Sequence, residues 1–235
     1  ISFRRFVGLK MEQKAPDETT FVEFRKRLRK HGHISTLFDK TIEILKFQGV
    51  ILEEGTCVDA TIIEAPRGRA SEDGLSSTKD PSASYTKKHG RIYHGYKAHI
   101  ATDTNGIIKD YRFDTARVHD SQHIDELIEN ECHSIFADSA YMDQKRKAEL
   151  EGKGIFCGII QRRVRGQKEL TREQKWHNRL VAGIRAVVEH PFAWMKNTGY
   201  RRVRYRGLSR NGLDFGLHAI AYNFKRSFSL LKSVA

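Results

Sequence analysis

The chain has 235 residues, 39% of them hydrophobic and 30% charged, with a formal net charge of +13. That is enough apolar material for one sizeable core, and it excludes a disordered tail. No apolar run nears the roughly 20 residues needed to cross a bilayer, and no signal-peptide pattern opens the chain, so the expectation is a cytoplasmic protein with no membrane partner. The excess of cations points to a polyanion, by default nucleic acid. Cys57, Cys132 and Cys157 form no C-x-x-C pair and read as small apolar residues of a reducing compartment. The chain opens on Ile1 rather than Met, which suggests a fragment of a longer protein.

Residues 1–49 read as a small helical N-terminal region. "PDETTFVEFRKRLRKHG" offers Asp17, Thr19 or Thr20 as N-caps, with acids early and bases late. Phe21, Phe24 and Leu28 share one face, and Gly32 is a stop. A second helix is expected over 34–47, with Leu37, Phe38, Ile42 and Leu45 inward. From residue 50 to 235 the pattern is mixed α/β. "TCVDATIIEA" is a β-branched strand, and 66–92 is an exposed basic loop. "HGYKAHIATD" and "GIIKDYRFDTARV" are strands joined through Asn105-Gly106. "DSQHIDELIEN" is a helix opened by Asp120, "SIFADSAY" a short buried strand, "DQKRKAELEG" a helix and "GIFCGII" a strand. Residues 161–175 read as a linker. A long helix is expected over 176–197 and a C-terminal helix over 212–231. Three antiparallel strands followed by crossovers to parallel ones would make a single mixed sheet with flanking helices.

Three acids sit where apolar residues belong. Asp59 lies inside "CVDATII", although Asp is depleted in strand interiors and an unpaired buried charge is costly. Asp138 ends the apolar run "IFAD" at the carboxyl end of a strand, where open α/β sheets place ligands. Glu189 interrupts "RAVVEHPFAWMK". Carboxylates are hard oxygen ligands suited to Mg²⁺, and two ions about 3.5–4 Å apart can clamp both oxygens of an in-line phosphodiester displacement. Arg185 and Lys196 project on nearly the same helical face as Glu189, and Pro191 is expected to bend the helix just after the acid.

These segments resemble the DDE transposases of bacterial insertion sequences, in particular the insertion-sequence-5 family. "GTCVDATIIEAP" is similar to the segment carrying that family's first Asp, and "FADSAY" to the second. "RAVVEHPFAWMK" has its R-x3-E-x6-K spacing. "PDETTFVEFRKRL", "GYKAHIATD", "DTARVHDS" and "YRGLSRN" follow the family in the right order, over about residues 2–228. The resemblance implies a ribonuclease-H-like catalytic domain over 50–235 that cleaves transposon ends and joins their 3′-hydroxyls to target DNA. It implies Asp59, Asp138 and Glu189 as catalytic metal ligands for Mg²⁺, with Mn²⁺ as a substitute, and Arg185 and Lys196 as the basic positions. The family often has Tyr three residues before its Arg, where this chain has Ala182. It usually has sequence upstream of "SFRRF", so a terminal-binding part is expected to be missing. Two double-stranded DNA ends meeting one kind of active site imply a homodimer on DNA.

Further cations offer DNA contacts: Lys87, Lys88, Arg91 and Lys97 in "SYTKKHGRIYHGYK", and Arg201, Arg202, Arg204, Arg206 and Arg210 beside Tyr200 and Tyr205. The Ser- and Gly-rich approach to the first group suggests ordering only on binding. His119 and His123 mimic zinc spacing but lack a third ligand. Two rivals stay open: a transposase-derived DNA-binding protein without activity, and a nuclease of the same fold that hydrolyses without joining.

Overall fold

The computed structural model describes residues 4–5, 7–72, 74–88, 90–131 and 133–234. Cys132 and Ile1 lie outside them. Its centre is strand β1 (Thr56–Glu64), where β-branched Thr56, Val58, Thr61, Ile62 and Ile63 favour extended backbone. On one side β1 pairs antiparallel with β3 (Arg91–Thr102), from Cys57↔Thr102 to Glu64↔Gly95. On the other side it pairs in parallel with β5 (Ser134–Ala137), which is in turn parallel to β6 (Phe156–Ile159). The far edge of β3 is shared. Its first half pairs with β2 (Ser84–Lys88) and its second with β4 (Ile108–Thr115).

The two faces follow the strand period of two. Cys57, Ile63, Tyr96, Ala98, Ile100 and Phe136 point into one core. It is covered by α5 (Arg172–Arg185), α6 (Glu189–Asn197) and α7 (Leu208–Val234) through Val181, Phe192, Met195, Phe215 and Tyr222. Val58, Ala101, Ile135, Ala137 and Ile159 point the other way, under α3 (Ile124–Leu127) and α4 (Gln144–Gly152). The N-terminal helices α1 (Glu18–Lys30) and α2 (His33–Phe47) pack on α7, and Phe38 of α2 joins the first core. Asp17 caps α1 by accepting the Thr20 N–H at 2.8 Å.

Several expectations need correction. Loop 66–92 contains strand β2 and is pinned rather than loose. Asp80 is buried and accepts from the Tyr96 hydroxyl at 2.8 Å and the Gly207 N–H at 3.2 Å, while buried Ser77 accepts from the Gly68 N–H. Phe21, Phe24 and Leu37 are exposed, leaving Leu28, Phe38 and Leu45 buried and Ile42 partly buried against the core. The 161–175 linker ends at Thr171, which forms a capping box with Gln174 and starts α5 early. The 120s segment is a 3-10 turn over Asp120–Gln122 and one turn of α-helix, and its cap is His119, not Asp120. The C-terminal helix is longer than expected at both ends, because Ser209 and Arg210 carry the helix back to Leu208.

The expected single helix over 176–197 is two. A 3-10 turn over Ala186–Val188 separates α5 from α6, so the break falls before Glu189 rather than after it. Pro191 explains this. It lacks the N–H that would bond the Val187 carbonyl, yet its ring is tolerated in the first turn of a new helix. Gly106 supports the same corner. It closes the β3–β4 turn at φ 82°, and a Cβ there would stand 3.0 Å from Val187 Cγ2.

Candidate active site

Parallel pairing sets the first two acids together. β1 and β5 are in register to Val58↔Ala137, so Asp59 and Asp138 each follow the last paired residue of two adjacent strands. Alternation gives Asp59 the face of Cys57 and Asp138 the face of Phe136, and both look toward α5 and α6. Asp138 caps the 3-10 turn Ser139–Tyr141, and its Oδ1 accepts the Ser139 N–H at 2.6 Å and hydroxyl at 3.0 Å. Asp59 accepts the Ala60 N–H at 2.8 Å.

Arg185, the last residue of α5, ties the third acid in. Its Nη1 lies 3.4 Å from Asp59 Oδ2 and its Nη2 lies 3.5 Å from Glu189 Oε1. Glu189 opens α6, where the helix dipole favours an anion. It is not buried among the apolar residues around it. Val188, Pro191, Phe192 and Met195 turn inward, and the Glu189 side chain is 63% exposed. Lys196 is exposed in the last turn of α6. Burial pushes the Asp59 carboxyl above the usual carboxylate range. The Ala60 N–H, Arg185 and Lys88 pull it back, while the charge of Asp138 adds to the upward push.

Among the described residues, no three His, Cys, Asp or Glu side chains stand arranged to hold a metal ion. Arg185 supplies the positive charge between Asp59 and Glu189. The donor set still fits a divalent cation by its chemistry: hard oxygens, two of them on adjacent strands, where burial and mutual repulsion favour a cation. His119 and His123 diverge. His119 Nδ1 meets the Ser121 hydroxyl at 2.8 Å, whereas His123 Nε2 faces Asp114 at 3.3 Å.

The other basic candidates separate into two groups. Lys87, Lys88 and Arg91 are exposed where β2 turns into β3, and Arg91 lies over the Tyr93 ring. Lys97 is not a free cation. It sits 2.8 Å from Asp120, donates to the Val118 carbonyl at 2.7 Å and is 12% exposed. Arg201, Arg202, Arg204, Arg206 and Arg210 are exposed on a segment held to β1 by the Val203 N–H on the Glu64 carbonyl at 2.9 Å. Tyr200 cannot stack on bases, because it is buried against His218 at 4.2 Å between rings. Tyr205 is half-buried and accepts a hydrogen bond from Arg25.

Tyr141 was not singled out by the sequence. It lies three residues after Asp138, is fully buried, and its hydroxyl has no hydrogen-bond partner among the described residues. Burial, then the charges of Asp120, Asp59 and Asp138, push its phenol far up. In "ADSAY" it reads as a core aromatic, and in the fold it packs with Val58 and Ile135 on the other face of the sheet, near enough to feel the charge of the acids.

No helix among the described residues is long and apolar enough to cross a membrane. No solved structure matches the chain. The Transposase DDE domain profile matches residues 52–224, and the Transposase domain (DUF772) profile matches residues 1–27. The first of these spans well over half of the chain and both acid-bearing strands, and the chain belongs to the transposase DDE domain family.

Proposed function

We propose that this transposase is a member of the insertion-sequence-5 group that cuts DNA at transposon ends and joins the freed 3′-hydroxyls to target DNA. The observation that carries this is the adjacency of Asp59 and Asp138, with Glu189 tied to Asp59 through Arg185. The strand order, with three antiparallel strands and two parallel ones about β1, supports a ribonuclease-H-like fold. We take residues 50–235 as the catalytic domain and 1–49 as a helical N-terminal region. A cytoplasmic location follows from the DNA substrate.

Asp59, Asp138 and Glu189 would hold divalent metal ions, Mg²⁺ with Mn²⁺ as a substitute, which supply charge neutralisation and a stronger nucleophile when bound. The protein's own part is positional. The strand register fixes two acids, and Arg185 holds Glu189 toward them. The exposed Lys196, Lys87, Lys88, Arg91 and the arginines of 201–210 would bind backbone phosphates without reading sequence. A homodimer on DNA is supported by an apolar stripe at heptad spacing on α7, with Leu217 partly buried at its start and Ala221, Phe224, Phe228 and Leu231 exposed.

A supercoiled plasmid carrying the element's ends, with Mg²⁺ or Mn²⁺, tests the chemistry. Nicked and joined products that Asp59→Asn abolishes are expected. Binding without cutting would identify an inactive DNA-binding protein, and cutting without joining a nuclease.

A further inference from the structure

On the opposite side of β1 from the acids lies a cavity of about 240 Å³. Its floor is Ala60 and Ile62, and its walls carry Lys87, Lys88, Arg117 and His119. β1 runs on past its last pair with β5, Val58↔Ala137, so this stretch borders the notch where Asp138 leaves the sheet. Asp59 and Ala60 are consecutive, which puts the cavity one strand thickness from the acids.

Its charge is uncompensated. Asp120, the one acid in the lining, is taken by Lys97 at 2.8 Å. Lys87, Lys88 and Arg117 have no ion-pair partner among the described residues, in a chain where many surface cations do. The Arg117 backbone is held in place by its amide N–H, which donates to the Ser84 hydroxyl at 2.9 Å. His119 spends Nδ1 on Ser121, leaving Nε2 as its other ring nitrogen. Three unpaired cations around an apolar floor are built for an anion with a less polar body attached.

We propose that this cavity seats a backbone phosphate of the DNA strand next to the one being cut, so that the strand crosses the edge of β1 between cavity and acids. This rests on the DNA-processing reading above. The cavity residues are positioning residues: they set where the strand lies and touch no reacting atom.

The test is equilibrium binding of a labelled 30-base-pair duplex to the full chain, in EDTA so that no cleavage intervenes, across a salt series. Arg117→Ala and Lys88→Ala should each lower the salt slope by about 1, and the double variant by about 2. Lys153→Ala, an exposed cation far along the chain at the end of α4, should leave it unchanged. Arg117→Lys should restore most of the slope, and Ile62→Glu, which keeps every cation, should weaken binding as much as the double variant while circular dichroism stays native. If wild type binds the duplex and the cavity variants behave like Lys153→Ala, the cavity proposal is wrong and the DNA reading stands. If wild type binds no duplex at any salt concentration, both the cavity proposal and the DNA reading are wrong.

Discussion

At Asp59 two demands conflict. Burial and the neighbouring Asp138 disfavour its charge, while the proposed metal-holding role needs the charged form. An acid with a raised folded-state value holds more protons folded than unfolded, so it costs stability at neutral pH, and that cost disappears as pH falls toward the ordinary value near 3.8. Asp59→Asn should therefore raise the melting temperature at pH 7 while abolishing plasmid nicking. The gain should vanish near pH 4, and a variant that melts lower at pH 7 would contradict this account. His99 works in the opposite sense. Burial chiefly, with His123 adding to it against Asp120, lowers its value to about 4. The unfolded chain then binds the extra proton between pH 6.5 and about 4, so stability falls there as pH drops, with a slope of up to about 1.4 kcal/mol per pH unit. Denaturant titrations of wild type and His99→Gln over that range should differ by this slope.

At the scale of elements, the corner Ala186–Val188 sets where Glu189 stands relative to Arg185 and Asp59. Its supports are local and testable. Gly106→Ala places a methyl against Val187 in a backbone region that L residues avoid, and should cost more than about 1 kcal/mol and lower activity beyond what stability explains. Thr171→Ala removes the capping box of α5, and about 1 kcal/mol of loss is expected by chemical denaturation, without a change in metal response. Most elements were legible in the sequence, because "TCVDATIIEA" and "GIFCGII" carry strand composition and Asn105-Gly106 a turn. Strand β2 was not, since "SYTKK" is polar and carries no apolar alternation, although its partner 91–95 follows it directly in the chain. The break before Glu189 was misplaced because the Val187 carbonyl freed by Pro191 lies on the preceding turn.

At the scale of the whole molecule, apolar surface is unevenly distributed. Phe215 is fully buried between Tyr111, Phe113 and Tyr200, and Phe215→Ala should cost about 3–5 kcal/mol. Phe228 on the same helix is 58% exposed, and Phe228→Ser should change monomer stability by less than about 0.5 kcal/mol. If α7 pairs two copies on DNA, the same change should shift the DNA complex from two subunits to one in sedimentation. A complex that stays dimeric would place the pairing surface elsewhere.

The three acids were visible in the chain as charges at positions whose neighbours are apolar, and the basic balance as an excess no core could absorb. Both are properties of composition and local pattern. Which acids meet, and which cations stay unpaired, depended on the parallel register of β1 with β5 and on where α5 ends. The register joins residues 79 positions apart, and Arg185 meets Asp59 across 126. Local periodicity cannot encode such contacts, which is why the exposure of Glu189, the pairing of Lys97 and the cavity beside Arg117 emerged only from the folded chain.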